Sequence, residues 1–246
     1  MNVNFKYIGK VLLIEDGEER ILVIGDLHLG YEGSLRSSGL MIPLDLYKLV
    51  MGDFEEIFKY LGSENVKLDK IVLLGDLKHE FGSILKEEWD YIGRVLIYLR
   101  KKCGELIVIE GNHDKILQPI LKNVNAVGND YFIWGEIAFM HGDKSFKELE
   151  KKEIKCWVMG HGHPAVTITD GTKKEKYKCF LEGEYKLKRG VKKRVIVVPS
   201  FFPLIEGTDA RDFDLGFAWN FSLKNFNVRI VGDNLEVFEF GKLGKI

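Results

Sequence analysis

The chain has 246 residues, 46% hydrophobic and 30% charged, with a formal net charge of −1, enough apolar material for a large core and too much for a disordered or fibrous protein. No apolar run approaches the roughly 20 residues that cross a bilayer, and the start Met1-Asn2-Val3-Asn4-Phe5-Lys6 lacks a signal peptide's apolar stretch, so a soluble, cytoplasmic protein without membrane association is expected. Cys103, Cys156 and Cys179 have neither metal-type nor redox-type spacing, which fits a reducing compartment and inert thiols.

The first strand signal is Arg20-Ile21-Leu22-Val23-Ile24-Gly25, a β-branched apolar run stopped by glycine, and Asp26 and His28 follow its C-terminal end. From Pro43, suited to a first helical turn, Leu46, Leu49, Val50, Phe54, Ile57, Phe58 and Leu61 recur at spacings of three and four, predicting an amphipathic helix stopped at Gly62. The cycle repeats: strand Lys70–Leu74 runs into Gly75-Asp76, a helix is predicted over Ser83–Lys102, and strand Glu105–Ile109 runs into Gly111-Asn112-His113-Asp114. Ligands of open α/β sheets bind beyond the carboxyl ends of strands, where the leaving loops are free to converge.

After residue 120 the texture changes to short strands: Tyr131–Trp134, Glu136–Met140, Lys155–Met159, Ala165–Thr169, Tyr177–Leu181 and Arg194–Val198. Runs Phe217–Ser222, Phe226–Val231 and Leu235–Phe240, with turn signals Lys224-Asn225 and Gly232-Asp233-Asn234, predict a closing antiparallel meander. No repeat or linker composition divides the chain. The expectation is one domain, residues 1–246, of α/β (α+β) class, with two packed sheets, flanking helices and the site at one sheet edge.

Five segments carry ligand-type residues: Gly25-Asp26-Leu27-His28, Gly75-Asp76, Gly111-Asn112-His113-Asp114, His141-Gly142 and Gly160-His161-Gly162-His163. They use five of the six histidines and no cysteine, a donor set for hard-to-borderline divalent metals rather than a structural zinc knuckle. Two adjacent cations need a bridging ligand, and Asp76 is the natural one. On an extended segment residues i and i+2 share a face, so Asp26 and His28 can clasp one metal and His161 and His163 can project together. If the second pair is divided, His163 completes the first shell while His161, His141 and Asn112 complete the second. Two such ions make hydroxide available near neutrality and align in-line attack, which points to phosphoester hydrolysis. His113, beside Asn112, is placed to protonate the leaving oxygen as imidazolium.

The motif series resembles the calcineurin-like metallophosphoesterase superfamily over roughly residues 20–205. The resemblance implies a four-layer double β-sandwich flanked by helices, with one metal on Asp26, His28, Asp76 and His163 and the other on Asp76, Asn112, His141 and His161. It also implies that His113 assists the leaving group and that the two divalent ions are Mn2+, with Fe, Zn, Ni or Mg as alternatives. Protein serine/threonine phosphatases of this superfamily carry an Asp three residues after the bridging Asp, where it buttresses the catalytic histidine. This chain has His79 there, as SbcD-type repair nucleases do, so His79 is expected to contact the nucleic-acid backbone or the leaving oxygen.

His141 follows Asp114 by only 27 positions and little chain follows His163, which leaves small room for the DNA-binding cap and partner-binding sequence of those nucleases. Residues 144–194 hold 15 Lys and Arg against 7 Asp and Glu. This basic segment is read either as a solvated surface or as a phosphate-contact surface, in which Lys173–Arg194 grips a strand and Tyr177, Phe180 and Tyr185 stack on bases or pack one face of a hairpin. Ser200, in Pro199-Ser200-Phe201-Phe202-Pro203, and Arg211 are expected at the site rim as substrate contacts. The leading expectation is a dinuclear-metal phosphodiesterase acting on nucleic acid, a DNA nuclease or repair-associated phosphoesterase using a metal-bridging hydroxide, with a repair protein as a possible partner. The alternatives are a phosphodiesterase or phosphatase for a small nucleotide, and a non-catalytic nucleic-acid-binding partner.

Overall fold

The computed structural model describes residues 3–17, 19–40, 45–80, 86–114, 116–188, 190–212 and 214–246. β1 (Asn4–Ile8) and β2 (Val11–Asp16) form an antiparallel hairpin, and β3 (Glu19–Ile24) adds antiparallel to β2. A short helix α1 (Tyr31–Ser37) and the long α2 (Leu46–Ser63) then cross to β4 (Leu68–Leu73), parallel to β3. Asp45 caps α2 by accepting a hydrogen bond from Lys48 N at 3.0 Å, and the helix buries the predicted stripe Leu46, Val50, Phe54, Ile57 and Leu61. α3 (Lys86–Arg100), β5 (Cys103–Ile109), α4 (Gln118–Asn123) and the two-residue β6 (Gly128–Asn129) complete a six-stranded sheet ordered β1-β2-β3-β4-β5-β6. Four of its strands, β3 to β6, run parallel, so three successive loops leave the sheet at one edge.

The second sheet begins with β7 (Tyr131–Trp134), β8 (Ile137–Met140), β9 (Cys156–Met159), β10 (Pro164–Asp170) and β11 (Lys173–Lys186). β12 (Lys192–Val197), β13 (Thr208–Asp209), β14 (Asn227–Val231) and β15 (Val237–Lys242) complete it. Its order is β13-β10-β11-β12-β9-β8-β7, with the β14–β15 hairpin added on β11. β8, β9 and β12 are mutually parallel, which gives this sheet, too, an edge where carboxyl ends gather.

Between the sheets lies a dry core in which Ile21, Val23, Val72 and Ile107 face Phe139, Val158, Phe180 and Ile196. A second core packs α2, α3 and α4 on the outer face of the first sheet through Phe54, Ile92, Leu96 and Leu121. The outer face of the second sheet is covered by no α-helix among the described residues. Trp219, Phe226 and Leu215, on irregular chain and 3-10 turns, pack there against Trp157, Val195 and Val197.

Phe217–Ser222, predicted as a strand, is irregular. Its alternation is real, since Phe217, Trp219 and Phe221 pack inward. The segment nevertheless lies across the face of the sheet, where alternation buries a row of rings without a ladder partner. Hairpin β14–β15 does turn at Gly232-Asp233-Asn234, with Gly232 N donating to Glu236 O at 3.0 Å. β11 runs 14 residues where five were predicted, because its flanks are lysine- and glutamate-rich and give no apolar signal. The β1–β2 hairpin, α1 and α4 had no prediction. The predicted helix starts at Pro43 and Ser83 lie outside the described residues.

Candidate metal centre

All five ligand segments follow parallel strands: β3 delivers Asp26 and His28, β4 Asp76, β5 Asn112 and His113, β8 His141, and β9 His161 and His163. Stacking the two sheets with these ends at one edge brings the segments together. Asp26, His28, Asp76 and His141 are buried, and Asn112, His113, His161 and His163 are half-buried. The loops touch closely. A Cβ on Gly111 would lie 2.1 Å from Asp76 Oδ1, and one on Gly75, where φ is 102°, would lie 2.7 Å from Gly111 N, so only glycine permits this approach.

His28, Asp76, His161 and His163 have φ of 43°, 47°, 63° and 40°, in the left-handed region. The ligand pairs thus converge through left-handed turns, which corrects the extended-segment geometry predicted for Asp-x-His and His-x-His. Such conformations cost about 1–3 kcal/mol each and concentrate at functional sites.

Three ligand groups lie within 4.8 Å: Asp26 with His28 and His163, Asp76 with His141 and His161, and His28 with Asp76 and His113. In the first, His28 Nε2 and His163 Nε2 are 3.1 Å apart and His163 Nε2 is 3.5 Å from Asp26 Oδ1. In the second, His141 Nε2 stands 3.1 Å from His161 Nδ1, 3.0 Å from Asn112 Oδ1 and 3.4 Å from Asp76 Oδ2. The same Asp76 oxygen is 3.9 Å from His28 Nε2, so it stands in the second group and next to the first. Ligand atoms about a cation at roughly 2.1 Å stand about 3.0–3.5 Å apart, and facing imidazole nitrogens beside buried carboxylates suit a cation between them. The residues therefore fit divalent metal ions.

Electrostatics agree for the carboxylates and for His28. Burial opposes ionisation of Asp26, but the neighbouring His163 and His141 hold its carboxyl well below the usual range, and His141 does the same for Asp76. Burial, then His163, pushes the His28 imidazole down to about 3, leaving it neutral and ready to coordinate. His141 is also buried, yet its bond to Asp76 and the charge of Asp26 push it up to about 9, so a metal bound there would displace its Nε2 proton. Its Nδ1 donates to Leu74 O at 2.8 Å, which aims Nε2 at the ligand cluster.

His113 Nδ1 donates to the backbone carbonyl of His79, which turns Nε2 to 3.8 Å from Asp76 Oδ2. The buttress at position 79 is therefore main chain, not side chain. The His79 ring stands apart from that bond, 5.9 Å from His113, 5.5 Å from His28 and 4.5 Å from Tyr31, and its buried Nδ1 has no hydrogen-bond partner among the described residues.

Ser200 and Arg211 lie elsewhere in the bonding network. Ser200 is buried and its Oγ donates to Asp26 O at 3.1 Å, and Arg211 is forked onto Asp209, with Nη2 donating to Thr167 O at 2.7 Å. Sequence reasoning gave no role to Asp114, whose buried carboxylate accepts from Leu77 N at 2.9 Å and Gly111 N at 3.0 Å, joining two ligand loops. Burial and the Asp76 charge raise it to about 7. Its place in Gly-Asn-His-Asp was a usable signal, whereas nothing announced Tyr31, or Gly216, whose carbonyl accepts from His161 Nε2 at 3.2 Å.

Residues 19–232 match the family described as calcineurin-like phosphoesterase. Among solved structures, a nuclease from Pseudomonas putida, MPE, is 13% identical with a TM-score of 0.59, the alignment covering 97% of this chain and 100% of that one. A phosphoesterase from E. coli, Yfce, is 13% identical with a TM-score of 0.39, covering 89% and 96%. The zinc complex of Vps29 from Entamoeba histolytica is 15% identical with a TM-score of 0.38, covering 90% and 99%. No curated protein matches the sequence.

Proposed function

The chain belongs to the calcineurin-like phosphoesterase family, and from that premise we propose that it is a phosphodiesterase that works with two divalent cations, Mn2+ first among them, and cleaves nucleic acid, with DNA as substrate. The carrying observation is that Asp76 Oδ2 faces both ligand groups, at 3.4 Å from His141 Nε2 and 3.9 Å from His28 Nε2. Asp26, His28 and His163 with Asp76 would hold one ion, and Asn112, His141 and His161 with Asp76 the other. The ions supply charge neutralisation of the phosphate and a water acidified toward neutral pH.

The protein's own groups do the rest. His113, held by the His79 carbonyl, presents Nε2 to the centre and gives its proton to the departing ester oxygen. The His79 ring, with Tyr31 edge-on against it and His28 at 5.5 Å, stands beside the centre, where its imidazole would donate to a phosphate oxygen of the substrate. Asp114 keeps the loops carrying Asp76 and Asn112 in register. Support for a nucleic-acid substrate comes from the His79 position, from exposed Lys173, Lys174 and Lys176 on β11, and from the fold shared with a nuclease.

One observation favours a small nucleotide instead. Phe180 lies in the inter-sheet core, Tyr185 packs on Trp157, and Lys178 and Lys193 turn inward onto carbonyls, which removes much of the expected strand-binding surface. The test is a manganese-dependent assay run side by side on single-stranded DNA, double-stranded DNA, 2′,3′-cyclic AMP and a phosphopeptide, with Asp76→Asn as control. DNA cleavage lost in the variant is the expected result. Turnover of the cyclic nucleotide alone would replace the DNA assignment.

A further inference from the structure

The main-chain carbonyl of Asp26 accepts three hydrogen bonds from consecutive residues: Ser200 Oγ at 3.1 Å, Phe201 N at 2.9 Å and Phe202 N at 3.3 Å. The carbonyls of the same three residues all point the other way, onto two ammonium groups. Lys178 Nζ donates to Ser200 O at 2.9 Å and to Phe202 O at 2.6 Å, and Lys10 Nζ donates to Phe201 O at 3.0 Å. The turn is thus a three-residue relay, with three donors on Asp26 O, Phe202 N shared with Ser200 Oγ at 3.2 Å, and all three carbonyls on a lysine.

Both lysines are anchored for this task. Lys10, in the β1–β2 turn, also pairs with Asp53 of α2 and lies 4.7 Å over the Phe201 ring, which stacks on Phe54 at 4.4 Å. Lys178 is drawn inward from β11, while Lys173, Lys174 and Lys176 of the same strand are exposed. Burial, then the charge of Lys10, pushes the Lys178 amine down to about 7, but the amine donates both of its carbonyl bonds in either state, and the bond from the Lys10 ammonium is charge-assisted. Phe202, carried on the turn, is buried and stands 6.5 Å from His28 and 5.4 Å from Tyr31. What the lysines hold is therefore both the Asp26 backbone and the wall beside His28.

We propose that Lys178 and Lys10 are positioning residues of the centre, clamping the Ser200–Phe202 turn so that Asp26 and His28 meet His163 in ligating geometry. The lysines and the turn bond to none of Asn112, His141 and His161, and the clamp reaches the second group only through the Asp26 carboxylate, which accepts from His161 N at 3.2 Å, so its effect falls mainly on the site of Asp26, His28 and His163. This rests on the two-cation reading, and groups that orient metal ligands typically contribute 10–100-fold in metal affinity.

The test is Mn2+ binding by titration calorimetry on the wild-type chain and on Lys178→Met, Lys10→Met and Ser200→Ala, each checked for its folded circular-dichroism spectrum. Lys178→Met is expected to weaken one of two Mn2+ equivalents at least tenfold and leave the other within about twofold. Lys10→Met and Ser200→Ala should weaken the same equivalent by smaller factors, and they carry the test alone should Lys178→Met fail to fold. In turnover of bis-p-nitrophenyl phosphate, kcat should fall with KM nearly unchanged. Two Mn2+ equivalents bound as in wild type by every folded variant, or weakened equally, would overturn the clamp and leave the phosphoesterase reading intact. A wild-type chain that takes up no Mn2+ pair would overturn that reading instead, and the clamp with it.

Discussion

At the residue scale, orientation rather than identity separates the six histidines. His141 and His113 each spend one ring nitrogen on a main-chain carbonyl, of Leu74 and of His79, and so present the other to the centre. His113→Ala is expected to leave Mn2+ binding intact and to lower kcat by about 10²–10⁴ on a natural diester, and much less on a nitrophenyl ester whose leaving group needs no proton. Equal losses on both esters would remove its acid role. His79→Ala, which keeps the carbonyl buttress, should preserve that leaving-group dependence and lower kcat/KM by about tenfold, the worth of one lost substrate hydrogen bond. Loss of the dependence in His79→Ala would mean that the side chain, not the main chain, orients His113. The donor residues that the structure gathers were legible in the sequence, because donors at five strand ends are a local signal. What the sequence hid was how they meet: the positive φ of His28, Asp76, His161 and His163 is a main-chain state that their residue types do not announce.

At the element scale, β3, β4 and β5, along with α2 and α3, were legible because apolar periodicity is strong where a face is buried. Legibility failed at β11, where most of the strand is solvated, and at Phe217–Ser222, where a buried row of rings carries strand-like alternation without strand pairing. Arg211 shows the same limit at an element's edge, since the sequence gives its charge but not its partner. Asp209 accepts from Thr167 N at 2.8 Å and from Arg211 Nε at 3.0 Å, tying β13 to β10. Although Asp209 is buried, these bonds hold its carboxyl well below the usual range. The unfolded chain therefore binds that proton more readily, so the stabilisation is complete above the ordinary aspartate pKa of about 3.9 and is lost as pH falls below it through the native value. Arg211→Ala should cost about 2 kcal/mol, lower the melting temperature by about 4–8 °C at neutral pH, and leave KM for the diester unchanged. A raised KM with unchanged melting would return Arg211 to the substrate.

At the scale of the whole molecule, the first sheet is shared by two cores, one under the helices and one against the second sheet. We propose that residues 1–246 form one cooperative unit. Near-ultraviolet and far-ultraviolet circular dichroism should melt in a single coincident transition, and Phe180→Ala, in the inter-sheet core, should shift both together at a cost of about 3–5 kcal/mol. Two separated transitions would divide the chain. The sandwich also accounts for the centre, because only by stacking do β3, β4 and β5 of one sheet and β8 and β9 of the other bring their carboxyl ends to a common edge. No described helix is long and apolar enough to cross a membrane. The most direct measurement is the rate of bis-p-nitrophenyl phosphate hydrolysis as Mn2+ is titrated into metal-free wild type and Asp76→Asn. Wild-type activity that saturates at two equivalents while Asp76→Asn stays at background is the predicted result. Equal turnover in the variant, or full activity without added metal, would contradict a phosphoesterase built on two cations that share Asp76.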